Sequence, residues 1–140
     1  MITTSRMLGA LRPAARLLTG STYAVLGYGV VSEPGPGAEE AATLMAAIRK
    51  KVPLPGRDEQ LVQVNGTVQA VCGVLLALGT APRLSALVLA GSMIPTTLAA
   101  HRFWTVEDPE ARKQQIQFHK NMAMIGGLLF AALDRPQARS

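Results

Sequence analysis

Four long apolar blocks constrain the fold of this 140-residue chain more than any motif does. They are Leu17–Val31, Leu61–Leu78, Leu84–Ala100 and Ile116–Leu133. Only 16% of the residues are charged, whereas about 25% is usual for soluble domains. Each block reaches the length of a membrane span once its flanks and a few small or polar residues are included. We therefore predict an all-α fold, a polytopic membrane four-helix bundle, with a soluble four-helix bundle as the alternative.

The whole chain, residues 1–140, is expected to form a single membrane domain. The expected spans lie approximately at 13–32, 60–79, 83–103 and 114–134. Arginines precede the first span, as they do in a signal peptide, but no small-residue cleavage site follows it. We therefore expect the first span to be retained.

The first extracytoplasmic loop is expected to contain a short amphipathic helix, approximately at 38–51. Before it, the run SEPGPG at 32–37 is expected to interrupt the helix, because its prolines remove backbone donors and its glycines add freedom. The segment AEEAATLMAAIRK then repeats apolar residues at helical spacing, with acids in its first turn and bases in its last. Such a helix either covers its own bundle at the outer interface or docks a partner.

Basic residues near the spans predict the orientation, and counting is weaker in the longer 32–60 loop. The termini and the loop between spans two and three share one side, which carries six arginines and one acid, whereas the other side carries eight basic and eight acidic residues. We expect a multi-pass protein of the cell membrane with both termini in the cytoplasm. The net charge of +5 then reflects topology, and no basic stripe with interleaved aromatic residues indicates nucleic-acid binding.

Polar side chains inside spans two, three and four collect in the same outer half of the membrane. Since polar groups in lipid are costly, they are expected to face one another or a wet cavity. The candidate ligand-binding residues are Asn65, Gln69, Thr97, His101, Arg102, Gln117, Lys120 and Asn121. Lys120 has two interpretations: its ammonium reaches outward to the interface, or it points inward as a fixed charge in a polar pocket.

The residues exclude several kinds of chemistry. Cys72 is the only cysteine, so neither thiol–disulfide exchange within the chain nor an iron–sulfur cluster is expected. No nucleophile elbow, P-loop or dinucleotide fingerprint occurs. No metal site is predicted, because His101 and His119 lack a supporting carboxylate within the spans, and no catalytic residue can be assigned. The pair Gly126–Gly127 is expected to allow close helix packing.

Four segments resemble the DoxX family of small four-span membrane proteins. They are NGTVQ (65–69), PTTLAAHRFW (95–104), EDPEAR (107–112) and FHKNMAMIGGLL (118–129). The resemblance covers roughly residues 61–134, and the earlier part of the chain matches only in layout. It implies a membrane oxidoreductase function. Some members of the family are subunits linked to thiosulfate oxidation and quinone reduction, and others are linked to complexes with superoxide-detoxifying and sulfur-transfer enzymes.

The expected function is that of an accessory subunit of a membrane-associated oxidoreductase system. Its outer polar residues suit the ring of a quinone, while the apolar walls suit the isoprenoid tail, so quinone is the cofactor that the pattern allows. The alternative is a non-catalytic membrane scaffold that docks soluble redox or sulfur-transfer enzymes. The partners that these interpretations allow are the lipid bilayer, redox enzymes in or at the membrane, and a second copy of the chain.

Overall fold

The computed structural model describes residues 4–134, and within that range the chain is helical with no strand. Its elements are α1 (Thr4–Ser32), α2 (Pro34–Arg49), α3 (Asp58–Leu78), α4 (Pro82–Ala100) and α5 (Glu110–Leu133), with a short 3₁₀ turn at Phe103–Thr105. The predicted all-α class is confirmed. Arg135 and Arg139, which enter the orientation count, lie outside the described residues.

Two of the predicted spans have the length and composition to cross a membrane, among the residues described. They are Asp58–Leu78 and the continuous segment Pro82–Thr105. At about 1.5 Å of rise per residue, α1 and α5 also exceed the hydrocarbon thickness of about 30 Å. The apolar portions of α1 and α5 are shorter than the helices themselves, because both helices begin with polar turns. The four-span topology therefore stays a prediction.

The helix α2 begins at Pro34, four residues before the predicted start of the loop helix, so SEPGPG does not form a loop. Only Glu33 separates α2 from α1. Pro34 occupies the first turn, where its missing N–H has no helical partner to lose and its fixed φ suits a helix. Ala38 and Ala41 are buried, and α2 packs against α3 and α4. The loop helix thus lies against its own bundle.

Arg49, the last residue of α2, stabilises the loop that follows the helix. Its guanidinium pairs with Asp58 and donates a hydrogen bond of 2.8 Å to the backbone oxygen of Gly56. Gly56 has a φ of +82°, a left-handed conformation that glycine adopts without strain. One side chain therefore connects the end of α2, the turn and the start of α3.

The closest helix pair is α1 and α3, which meet through glycines spaced seven residues apart. These are Gly20 and Gly27 on α1 and Gly66 and Gly73 on α3. A Cβ atom added to Gly27 would lie 2.5 Å from the backbone nitrogen of Ala70. Such contacts mean that the two backbones touch directly, as small residues allow in membrane bundles.

The predicted role of Gly126–Gly127 in close helix packing is wrong. A Cβ atom added to either glycine would meet no described neighbouring atom within 4 Å. Glycines permit a close approach only on the helix face that meets a partner, and a single sequence does not show which face that is.

The buried core centres on α4, which contributes the largest number of buried residues among the described helices. Leu89 belongs to one buried cluster with Tyr23, Leu76 and Leu128, which come from α1, α3 and α5. The outer surface is also apolar, since large side chains such as Phe130 at 79% and Leu18 at 73% are exposed. An extended apolar outer surface suits hydrocarbon rather than water.

Candidate functional site

Three helices bring polar side chains together, from the first half and middle of α3, the last turns of α4 and the middle of α5. We call this group the polar layer: Asn65 and Gln69 on α3, Thr96 and Thr97 on α4, and Asn121 on α5. Asn65 Nδ2 donates to Thr96 Oγ1 over 3.0 Å, and Gln69 Nε2 donates to the same oxygen over 3.3 Å. Asn121 Nδ2 donates to Thr97 Oγ1 over 3.2 Å. The polar layer therefore connects α4 to α3 and to α5.

Thr96 follows a proline inside α4. Pro95 lies inside α4 and has no N–H to donate to the carbonyl of Gly91, one turn earlier. Thr96 Oγ1 donates to the backbone oxygen of Ser92 over 3.0 Å. Because the hydroxyl hydrogen is used in that bond, the hydroxyl oxygen accepts hydrogen bonds from the side-chain amides of Asn65 and Gln69.

The polar layer retains capacity to bind a further group. An Asn or Gln side chain has two N–H donors and one carbonyl acceptor, and each bond to threonine uses one N–H. Gln69 and Thr97 are 5% and 2% exposed, whereas Asn65 and Asn121 are half-buried and so can be reached from outside the core. The layer therefore combines bundle-closing hydrogen bonds with accessible amides at its edge.

His101 belongs to a different group of polar side chains, which lies beyond the end of α4. Its Nδ1 lies 2.9 Å from Oε1 of Gln114, and Gln114 Nε2 donates to Glu110 Oε1 over 3.0 Å. These two hydrogen bonds join the loop after α4 to the first turns of α5. Gln114 and Thr96 are absent from the predicted site. The signals that could have identified them are the four-residue spacing of Gln114 from Glu110 and the hydroxyl directly after Pro95.

The structure does not bring Lys120 into the polar layer. Its side chain is exposed and lies with Arg112, Ile116 and His119 along an outward groove of α5. Successive helix residues are rotated by about 100°, so the contact of Asn121 with Thr97 turns Lys120 away from α4. Gln117 is likewise exposed.

Arg102 also lies apart from the polar layer, at the 3₁₀ turn. Its backbone oxygen accepts both the N–H of Thr105 over 3.0 Å and the Thr105 hydroxyl over 2.8 Å. Of the eight candidate residues, four join the polar layer. Asn65 and Gln69 bond to Thr96, and Asn121 bonds to Thr97, the next residue of α4.

An aromatic cluster next to the polar layer indicates its depth. Phe103, Trp104 and Phe118 form edge-to-face contacts with ring centroids 5.2 to 6.1 Å apart. Trp is enriched at the membrane–water interface, where its ring is apolar and its N–H is wet. Phe118 precedes Asn121 by three residues, so the polar layer lies about one helical turn inside this cluster.

Two further observations limit the chemistry of the described residues. Between residues 4 and 134 there is no group of three or more His, Cys, Asp or Glu side chains that could hold a metal ion. Cys72 lies half-buried in the middle of α3 and packs against the buried core. The polar layer is consequently a site of amide and hydroxyl groups.

Comparison with known proteins yields one family match. The family model DoxX matches residues 12–102, which run from α1 to the end of α4. This range includes α1 and α2, where the sequence resemblance rests on layout alone, and ends before the segment 118–129 in α5. No curated protein and no solved structure matches the chain.

Proposed function

Because this chain belongs to the DoxX family of membrane proteins, we propose that it is an accessory subunit of a membrane-associated oxidoreductase system. In this proposal α1, α3, α4 and α5 each cross the cell membrane, and both termini lie in the cytoplasm. The lengths of α1 and α5 support the four crossings, and the six arginines against one acid on the side of the termini support the orientation.

The polar layer is proposed to hold the head group of a quinone. The observation that carries this proposal is the convergence of amide and hydroxyl groups from three helices at one depth. Asn65 and Asn121 are half-buried and each has a second N–H, which suits a carbonyl oxygen as acceptor. Exposed apolar side chains of the same helices, including Val64 and Ile94, offer a surface for an isoprenoid tail.

The residues of the polar layer fit this ligand by donor chemistry. A quinone supplies a two-electron acceptor when bound, and the chain's own groups orient it and limit its contact with water. In the proposal the electrons come from a partner protein, since the single cysteine and the amide layer provide no electron carrier. The residues assigned here bind and position the ligand.

A scaffold that docks soluble redox or sulfur-transfer enzymes is the second candidate function. It is favoured by the bonds of Thr96, whose hydroxyl accepts two amides and donates to Ser92. Bonds of this kind between membrane helices are worth about 0.6 kcal/mol each on average and hold a bundle together without a ligand. The exposed acids Glu39 and Glu40 on α2 would then face the docked enzyme.

The quinone content of protein purified gently from native membranes tests the proposal. We expect nearly one quinone per chain in the parent protein and a clearly lower content in Asn65→Leu, because a lost hydrogen bond of about 1.4 kcal/mol weakens the affinity about tenfold. Lys120→Ala is the control, since the exposed Lys120 lies outside the polar layer.

Three results would contradict the quinone site. They are absence of quinone from the parent protein, equal retention in Asn65→Leu, and loss in Lys120→Ala alone. The last result would move the ligand to the outer groove of α5. Absence of quinone together with release of partner proteins by Glu39→Lys would establish the scaffold instead.

A further inference from the structure

A cavity of about 690 Å³ lies at the end of the bundle opposite the polar layer. It is bounded by the first half of α1, the start of α4 and the end of α5. Its charged lining consists of Arg12, Arg16, Arg83 and Asp134, and its apolar lining includes Leu76 and Phe130. Three guanidinium groups and one carboxylate give this lining a net charge of two positive units, so the cavity favours an anion.

The single carboxylate of the cavity is already engaged. Arg12 Nη2 and Nε each lie 3.0 Å from an oxygen of Asp134, which makes a two-point ion pair between α1 and the end of α5. Asp134 therefore neutralises the charge of Arg12. Among the described lining residues no further carboxylate neutralises Arg16 and Arg83.

Arg83 and Arg16 both retain donor groups. Arg83 Nε donates to the backbone oxygen of Ala132 over 3.0 Å, which leaves the two terminal nitrogens of its guanidinium for another acceptor. Arg16 Nε is buried without a hydrogen-bond partner. Because that nitrogen is enclosed by protein, an anion in the cavity would contact Arg16 through the terminal nitrogens of its guanidinium.

The surroundings of the cavity indicate an anion that carries an apolar part. Phe130 is 79% exposed at its edge, and Leu11, Leu18 and Leu133 are also exposed on α1 and α5. A small soluble anion would use the guanidinium groups alone, whereas a lipid would place its phosphate on them and its chains on these side chains. Basic cavities between helices on the cytoplasmic side of a membrane suit anionic lipid head groups.

We propose that this cavity binds the phosphate group of an anionic membrane lipid, with Arg16 and Arg83 as its principal ligands. Guanidinium groups present paired N–H donors that match the oxygens of a phosphate. The first turn of α4 at Pro82 also lines the cavity and adds the positive end of a helix dipole. Arg12 holds the cavity's shape through its pair with Asp134.

The test is to titrate phosphatidylglycerol into the detergent-purified protein and count bound lipids by native mass spectrometry. Phosphatidylcholine and inorganic phosphate form the comparison arms. We expect phosphatidylglycerol to bind more tightly than phosphatidylcholine, and Arg16→Gln and Arg83→Gln to weaken it by about ten- to hundredfold, because charge-assisted hydrogen bonds are lost. Arg112→Gln removes the same charge from an exposed position at the other end of the bundle and is expected to leave binding unchanged.

Each remaining outcome overturns part or all of the proposal. Equal affinity for both lipids, or equal weakening by Arg112→Gln, would show a general charge effect and no site. Displacement of phosphatidylglycerol by inorganic phosphate at comparable concentration would identify a soluble phosphate as the ligand. If Arg16→Gln fails to fold, Arg16→Lys keeps the charge but not the paired donors and is expected to weaken binding by less than Arg83→Gln.

Discussion

Gly27→Leu is expected to destabilise the folded bundle by at least about 3 kcal/mol, the upper end of the usual cost of overpacking. A Cβ at Gly27 would lie 2.5 Å from the backbone nitrogen of Ala70 and 2.6 Å from the backbone oxygen of Gly66. Since both obstructing atoms belong to the backbone of α3, no side-chain rotation relieves the clash. Helices α1 and α3 would have to separate.

The matched control for Gly27→Leu is Gly29→Leu, two residues further along α1. A Cβ at Gly29 would have no described neighbouring atom within 4 Å, so the added side chain enters open space. Unfolding of both variants in detergent, monitored by circular dichroism, measures the difference. If Gly29→Leu is destabilised as much as Gly27→Leu, the close α1–α3 contact is not what stabilises the bundle.

Leu89→Ala is expected to lower the free energy of unfolding by about 2 kcal/mol. Leucine-to-alanine changes in cores cost about 2–5 kcal/mol, and the lower end applies here because lipid also solvates leucine well, which leaves mainly the cavity term. Leu89 is 0% exposed and packs with Tyr23, Leu76 and Leu128. The cavity would therefore open inside the cluster that α4 shares with side chains of α1, α3 and α5.

The control for Leu89→Ala is Leu87→Ala on the same helix, because Leu87 is 52% exposed. The same atoms are removed from the outer surface, so a loss below about 0.5 kcal/mol is expected. The same detergent unfolding measurement compares the two variants. Equal losses would mean that the buried cluster around α4 is loosely packed.

Much of the helical layout could be predicted from the apolar blocks, because block length and turn residues are local properties. Pro34 shows the limit of that reasoning. A proline followed by glycine usually signals a loop, yet at the first position of a helix a proline fits without loss. The seven-residue spacing of Gly20 and Gly27 is visible in the sequence, but only the fold shows that it faces Gly66 and Gly73.

The candidate site could also be predicted in part. Asn65, Gln69 and Asn121 were identifiable because polar side chains inside apolar spans must find partners. The outward direction of Lys120 depends on how α5 is rotated about its own axis. The hydrogen bond from Asn121 to Thr97 fixes that rotation. The basic cavity could not be predicted, since Arg16, Arg83 and Asp134 come from segments far apart in the chain and meet only after folding.

The polar layer and the cavity lined by Arg16 and Arg83 are proposed to lie toward opposite faces of a membrane bundle. Cysteine labelling tests this arrangement most directly, in a Cys72→Ser background with Lys51→Cys, Thr80→Cys or Thr105→Cys, three exposed positions in or beside the connections between helices. A membrane-impermeant maleimide is expected to label positions 51 and 105 in intact cells, and position 80 only after the membrane is opened. Equal labelling of all three positions in intact cells would contradict a bundle that crosses the membrane, and labelling at position 80 alone would contradict its orientation.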